Sequence, residues 1–339
     1  MKAVRFVGEG AIRVVEKAIP DIGDDEILVR IAYCGLCGSE RGAVKNGISC
    51  VPGHEASGTV VRCGKNAPQY AEGSRVLIYL TEYCGKCEAC RTGETNRCSS
   101  RGRLIGWHFD GGYEEYAAVP GRLVFPIVNL APELCVLALD TIGTAFHALR
   151  QASPTAEDRV LMIGCGPLGL GCITILKNYY GVRRIIAADT APFHLEKARE
   201  LGAEPLCVDP ADTSGSIGAV LGRERMELVL EVCGLDATTA AAVKFVKAGG
   251  KVAYIGEPQR ALHIPRESEW ILKDFCFINS WYFPVNEIRA NVAFIEENEA
   301  EVRRLITDIV TPEEMGDAYA RFFGGETGKV LVRFDAGDA

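Results

Sequence analysis

Cys37-Gly38-Ser39-Glu40 is followed, after a short loop, by Gly53-His54-Glu55-Ala56-Ser57-Gly58. A thiolate and an imidazole brought together by two turns are good ligands for Zn²⁺, which takes nitrogen and sulfur donors in a tetrahedral cage. Glu55 beside the histidine and Ser39 two residues after the cysteine add an orienting carboxylate and a proton carrier. Read alone, the pair competes with two ordinary buried core residues. A second cluster is sharper: Cys84-x2-Cys87-x2-Cys90-x7-Cys98. Four thiols so closely spaced cannot all pair comfortably as disulfides, yet they wrap readily round one tetrahedral zinc. A closed four-sulfur cage leaves no position for substrate, so this metal is expected to be structural. Between the cysteines, Gly85, Lys86, Glu88, Arg91, Thr92 and Gly93 are polar and flexible, as suits a lobe held by metal rather than by its own core.

The elements that must position these side chains fall into two blocks. A chain of 339 residues is too long for one ordinary core, so two domains are expected. Residues 1 to about 125 alternate short apolar runs with Gly, Pro, Asn and Asp, the pattern of a small β-rich domain. Strands are expected at 2–7, 11–16, 26–32, 58–62, 75–79 and 114–119. Residues 132–150 read as a helix, with Asp140 the only acid in its body and His147 seven residues on, on the same face.

In the second block, residues 159–163 form an apolar run fit for a buried parallel strand. They feed Gly164-Cys165-Gly166-Pro167-Leu168-Gly169, then a helix stopped by Gly181. A bare G-x-G-x-x-G is weak evidence, but here it follows a strand, opens a helix, and is answered by Asp189 at the end of the next strand, 184–188. Its glycines, with Pro167 and Leu168, let backbone amides meet a pyrophosphate at the helix N-terminus. Asp189 would accept hydrogen bonds from the adenosine ribose and repel a 2′-phosphate. No arginine or lysine follows it until Lys197, so NAD is expected rather than NADP. Alternation continues with strand 227–232, helix 236–247 capped by Asp236, and strands 251–255 and 275–280. Cys233, Ile255 and Ser280 join the expected cofactor-binding set.

Composition bounds what else the chain could be. It is 48% apolar and 24% charged, with no low-complexity tract. A net charge of -8 argues against a nucleic-acid surface. Only Lys86, Arg91 and Arg97 flank the four-cysteine lobe, interleaved with Glu82, Glu88 and Glu94. The longest apolar run, 160–176, is broken by four glycines and a proline and makes a poor membrane span. Fourteen cysteines without an export signal suggest a reducing cytoplasm.

Taken together, these features resemble the zinc-containing medium-chain alcohol dehydrogenases, in their sorbitol-, threonine- and polyol-oxidising branch. The family signature Gly-His-Glu-x2-Gly-x5-Gly-x2-small is met by Gly53, His54, Glu55, Gly58, Gly64 and Ala67. The cysteine lobe has the family's spacing, and Gly111-Gly112-Tyr113-Glu114-Glu115-Tyr116 resembles the strand after it. The resemblance implies an α/β architecture: a chaperonin-10-like β domain (1–148 and 284–339) holding catalytic zinc in a cleft beside a Rossmann doubly wound domain (149–283). It implies two zinc ions per subunit, NAD, and a homodimer or homotetramer. Asp140 takes the place of the third ligand beside Cys37 and His54, with Glu55 as orienter or transient ligand; an ordinary helix aspartate is the competing reading. Ser39 would pass the hydroxyl proton outward, against the alternative of a turn residue bonding its own backbone. Thr144 falls where the family has a residue against the nicotinamide.

Two departures bear on substrate. Glu40 stands where the family usually has an aspartate that braces the zinc histidine. The loop from Cys37 to His54 is short, and Gly42 stands where some relatives have a relay histidine, so a wider mouth is expected. With Asp140, Glu55, Glu40 and His108 as hydroxyl partners and Trp107 and Trp281 as stacking surfaces, the expected substrate is a polyol, cyclitol or sugar derivative. The alternatives are threonine or another amino alcohol, a simple alcohol, and a non-catalytic NAD-binding scaffold. The last would have no reason to keep Cys37, Ser39, His54 and Glu55 together.

Overall fold

The computed structural model describes residues 1–258 and 268–334, and the chain divides into two compact units. The first takes Met1–Asp140, Phe283–Phe323 and the segment from Lys329 onward; the second takes Thr141–Tyr282 and Gly324–Gly328. The first division thus falls earlier than residue 148, because the helix Ala145–Ala152 packs with the second unit.

In the first unit, strand Glu26–Gly35 lies at the middle of a seven-stranded sheet. It pairs antiparallel with Ala56–Cys63, Tyr116–Pro120 and Lys329–Arg333. Val29, Ile31, Ala32 and Cys34 are buried, as befits a central strand covered on both faces. The register sets Cys34 opposite Ala56 and Gly35 opposite Leu331. An antiparallel neighbour starts where its partner ends, so this pairing brings the turn after Gly35 and the loop before Ala56 to one end of the sheet. Strands 306–310 and 329–333, which complete the sheet, carry no special sequence signal and had not been expected individually.

The segment 132–150 departs from the expected single helix. An α-helix, Pro132–Leu137, gives way to a π-helical turn, Asp140–Thr144, before a second α-helix, Ala145–Ala152. The wider turn inserts extra backbone into the ladder and breaks the seven-residue register assumed between Asp140 and His147.

The second unit is a six-stranded, wholly parallel sheet in the order Glu204–Cys207, Arg184–Asp189, Arg159–Ile163, Met226–Glu231, Val246–Tyr254, Cys276–Asn279. Its core includes Leu161, Ile186, Val229, Phe245 and Val252. Strand order reverses between Arg159–Ile163 and Met226–Glu231, the place where open α/β sheets bind ligands beyond the strand carboxyl ends. The architecture is the expected α/β pairing of a β-rich unit with a doubly wound sheet. The cap of the helix Asp236–Phe245 is Leu235 rather than the expected Asp236. Asp236 is the first residue of its helix, and the Leu235 backbone both donates to and accepts from the Thr238 hydroxyl. Among the described residues, no helix is long and apolar enough to cross a membrane.

Candidate active site

Cys37 follows the central strand and opens the short turn Gly38–Glu40. His54 and Glu55 sit on the loop that enters Ala56–Cys63, and Asp140 opens the π turn. Gly53 has φ +99°, and a Cβ there would lie 2.8 Å from Tyr113 N, so glycine is needed to present the histidine. The ligating atoms of Cys37, His54, Glu55 and Asp140 all lie within 4.8 Å of one another. Cys37 Sγ is 3.2 Å from Asp140 Oδ2, and the Ser39 hydroxyl donates to the same sulfur at 3.2 Å.

Glu40, 1% exposed, is wholly occupied. Its Oε1 lies 3.2 Å from His54 Nδ1, while Oε2 accepts from Tyr113 OH at 2.9 Å, from Cys37 N at 3.3 Å, and from Tyr319 OH. The longer acid therefore supplies the histidine brace that its substitution for aspartate had put in question. With Nδ1 engaged, Nε2 is the ring nitrogen left for the cluster. The same bonds remove Glu40 as a hydroxyl partner for substrate, contrary to expectation. His108 is exposed and its Nδ1 accepts from Leu104 N at 3.0 Å. The Trp107 ring lies 5.8 Å from that of His54, tilted by 40°. Trp281 belongs to the second unit and is exposed.

Glu55 is fully buried. Its Oε1 lies 2.6 Å from Lys329 Nζ, which also donates to Leu36 O, while Oε2 has no partner. Burial pushes the Glu55 carboxyl up to about 7 despite Lys329, and burial with the Asp140 charge pushes the Cys37 thiol up to about 11. Burial disfavours charge on His54, but Cys37 and Glu40 outweigh it and hold the imidazole well above its ordinary value. A thiol, an imidazole and two carboxylates thus share the site with one lysine. An orphaned carboxylate oxygen and a sulfur–nitrogen–oxygen donor set fit a divalent cation such as zinc.

In the lobe, Cys84 and Cys90 sulfurs are 4.0 Å apart and those of Cys87 and Cys98 3.8 Å. A zinc tetrahedron with arms of about 2.3 Å has edges of about 3.8 Å, so this spacing fits the metal, and it is far too long for a disulfide. Backbone N–H groups point at the sulfurs: Cys87 N at Cys84 Sγ and Cys84 N at Cys98 Sγ, both 3.3 Å. The backbone amides of Cys90 and Ser99 hold the Cys87 thiol down to about 5, whereas burial and the neighbouring thiols push Cys90 up to about 12, so the four sulfurs do not share one protonation state.

In the second unit, Gly164 has φ +97°, and a Cβ there would come within 2.6 Å of Cys233 Sγ. Gly166 caps the helix Pro167–Asn178, and a Cβ placed on it would meet nothing within 4 Å. That open notch before helical N–H groups is a cradle of the kind a pyrophosphate fills. Leu168 is half-buried on the first turn, and Gly169 packs against Gly164 O. Asp189 ends its strand; its Oδ2 accepts from Cys165 N at 2.6 Å and its Oδ1 from Ala191 N at 2.8 Å. Ile255 N donates to Glu231 O, and Ser280 Oγ accepts from Gln151 at 3.1 Å. Cys233 N donates to the Glu231 carboxylate, and Thr144 is buried at the end of the π turn.

Four residues escaped the sequence reading. Lys329 stands 274 positions from Glu55, with no motif linking them. Tyr113 and Tyr319 gave no polar signal among other aromatics. His194 follows Asp189 by five, and a histidine there carries no signal of its own in the sequence.

The family model for the alcohol dehydrogenase GroES-like domain matches residues 23–129, and that for the zinc-binding dehydrogenase residues 167–297. The chain is 26% identical to sorbitol dehydrogenase of Bacillus subtilis (strain 168), over 98% of this chain and 97% of that protein. It is 31% identical to L-galactonate-5-dehydrogenase of Escherichia coli (strain K12), over 71% of this chain and 72% of that protein. Among solved structures it is similar to the alcohol dehydrogenase TADH from Thermus sp. ATN1, with a TM-score of 0.88 and 28% identity over 98% of this chain and 99% of that one.

Proposed function

The chain belongs to the zinc-type medium-chain alcohol dehydrogenases and is therefore an oxidoreductase; within that family we propose that it moves hydride between a secondary alcohol of a polyol, cyclitol or sugar derivative and NAD. The observation that carries the reading is the convergence of Cys37, His54, Glu55 and Asp140 within 4.8 Å. Cys37, His54 and Asp140 would hold a catalytic zinc, with Glu55 in reach, and Cys84, Cys87, Cys90 and Cys98 a structural one. Asp140 in place of a third sulfur or nitrogen favours the polyol branch over the ethanol type, and the sorbitol and galactonate dehydrogenases similar to this chain point the same way.

Bound zinc would polarise the substrate hydroxyl and lower its pKa, and bound nicotinamide would accept the hydride. The protein's own part is positioning and proton transfer. Glu40 Oε1 keeps the proton on His54 Nδ1, so that Nε2 stays a neutral donor. Ser39 Oγ, beside Cys37 Sγ, takes the hydroxyl proton and releases its own outward. Lys329 fixes Glu55 at the edge of the cluster. Gly164, Gly166, Pro167, Leu168 and Gly169 would seat the pyrophosphate, Asp189 the adenosine ribose, and Thr144, Cys233, Ile255 and Ser280 the nicotinamide half.

The test is NADH formation with a panel of polyols, cyclitols, sugar acids, threonine and simple alcohols. A polyhydroxylated secondary alcohol should give the highest kcat/KM. Preference for an apolar primary alcohol would overturn the substrate class, and absence of turnover throughout would favour a non-catalytic nucleotide-binding role.

A further inference from the structure

The two tyrosines on Glu40 bear on more than its burial; the inference rests on the reading above that Cys37, His54 and Asp140 hold a catalytic zinc. Tyr113 lies just before strand Tyr116–Pro120, and Tyr319 lies on the helix Met315–Phe323, 279 positions from Glu40. Both are buried in one aromatic cluster. The Phe6 ring stands 6.0 Å from that of Tyr113 and 5.5 Å from that of Tyr319, centre to centre, and the Phe323 ring 5.1 Å from Tyr319. Met315, Ala318 and Tyr319 are the buried residues of the helix, and Tyr319 alone brings a side-chain oxygen. A phenylalanine would fill the same space, and a buried hydroxyl is costly unless it is bonded. Both hydroxyls find Glu40 Oε2, Tyr113 at 2.9 Å and Tyr319 in close contact.

The two donors are not equivalent. Tyr113 has a single proton and two acceptors in reach, Glu40 Oε2 and the Gly35 carbonyl oxygen at 2.8 Å. Among the described hydrogen bonds, Tyr319 reaches Glu40 Oε2 and, at 3.3 Å, the Tyr113 oxygen. Tyr319 is therefore the more committed donor. The Cys37 amide, at 3.3 Å, completes the set, so the turn, the segment before Tyr116 and the helix converge on one carboxylate oxygen. Oε1 is thereby turned to His54 Nδ1 at 3.2 Å. A glutamate has one more side-chain torsion to fix than an aspartate, and an unclamped Glu40 is free to swing off the ring. Clamping one oxygen removes that freedom from the other.

We infer that Tyr319, and less strongly Tyr113, are positioning residues for metal binding: by clamping Glu40 Oε2 they hold the His54 ring with Nε2 left for the cluster. Both act through the carboxylate, whose other oxygen faces the ring. Partners that hold a metal histidine in place set its tautomer and orientation, and with them its strength as a donor. A merely structural tyrosine, there to fill the aromatic cluster, would leave the hold on the ion unchanged when only its hydroxyl is removed.

The test is the rate at which a chelator strips zinc from the full chain, in wild type, Tyr319→Phe, Tyr113→Phe, Glu40→Gln and the double variant Tyr319→Phe with Glu40→Gln. Cys37→Ser, expected to keep only the ion of the cysteine lobe, identifies which phase belongs to which site, and the lobe ion then serves as an internal standard for the fold. Tyr319→Phe should release the catalytic ion about 10- to 100-fold faster, with the lobe ion leaving at the wild-type rate. Tyr113→Phe should act in the same direction and less, and it decides alone should Tyr319→Phe not fold. With Glu40→Gln already in place, removing the Tyr319 hydroxyl should add little, because the two residues act in series. Cobalt in place of zinc gives a second readout, since its visible bands follow ligand geometry and should shift in Tyr319→Phe. Wild-type release in either tyrosine variant, equal acceleration of both ions, additive effects in the double variant, or unchanged cobalt bands would overturn the inference while leaving the zinc reading intact. A wild type that holds only the lobe ion would overturn both.

Discussion

At the scale of single residues, the site is a problem of buried charge. Cys37, His54 and Glu55 announced themselves by type and spacing, because a metal needs donors that can be read from a sequence. What braces them could not be read. Glu40 looked like a departure from the family's aspartate, yet its extra methylene lets one carboxylate oxygen reach His54 while the other takes two tyrosine hydroxyls. Lys329 is invisible in the same way, since its meaning depends on a strand pairing that sets Gly35 against Leu331. Removing one partner of a buried ion pair typically costs about 3–5 kcal/mol, because the other charge is left uncompensated. Lys329→Met should therefore lower the stability of the metal-free protein by about that amount in urea unfolding, and Lys329→Met with Glu55→Gln should recover most of it. Equal stability of the single variant and wild type would show that Glu55 is already neutral or solvated.

At the scale of elements, short strands and βα alternation were legible because their periodicities differ, whereas the π turn was not. A helical pattern gives no hint that one extra residue enters the ladder at Asp140, and the turn is what separates the register of Asp140 from that of His147. The cysteine lobe has little core of its own, so its order should depend on metal. Cys90→Ser should make 84–98 a preferred protease site while the seven-stranded sheet persists, as limited proteolysis would show; unchanged resistance would deny the lobe its metal. A pH effect belongs to this scale too. Glu114, just before strand Tyr116–Pro120, is buried against Lys17 at 2.6 Å, with its other oxygen unpartnered. Burial raises its carboxyl to about 7 from an ordinary 4.5. The folded state then holds the proton more tightly than the unfolded chain, so this contribution is present in full below about pH 4.5 and lost as pH rises through about 7. Wild type should lose up to about 3 kcal/mol from this source across that window, and Glu114→Gln should not. Thermal melts against pH would decide it, and parallel curves would refute it.

At the scale of the whole molecule, the proposed metal cluster and the glycine-rich turn lie in separate units of the chain. Family signatures in both halves made the α/β architecture readable, because each is a short stretch with its own steric or electrostatic logic. The return of 283–323 and 329–334 to the first unit carries no local mark, since strand Lys329–Arg333 pairs with residues near the start of the chain. Separation also yields an expectation: Cys37→Ser should cut alcohol oxidation by about a thousandfold or more while NAD⁺ affinity stays within about twofold, as loss of a metal ligand leaves the Gly-rich turn untouched. The most direct measurement is zinc content per chain by elemental analysis of wild type beside Cys37→Ser. The expected result is two ions in the first and one in the second. One ion or none in wild type, or two retained in the variant, would contradict a catalytic metal held by Cys37, His54 and Asp140.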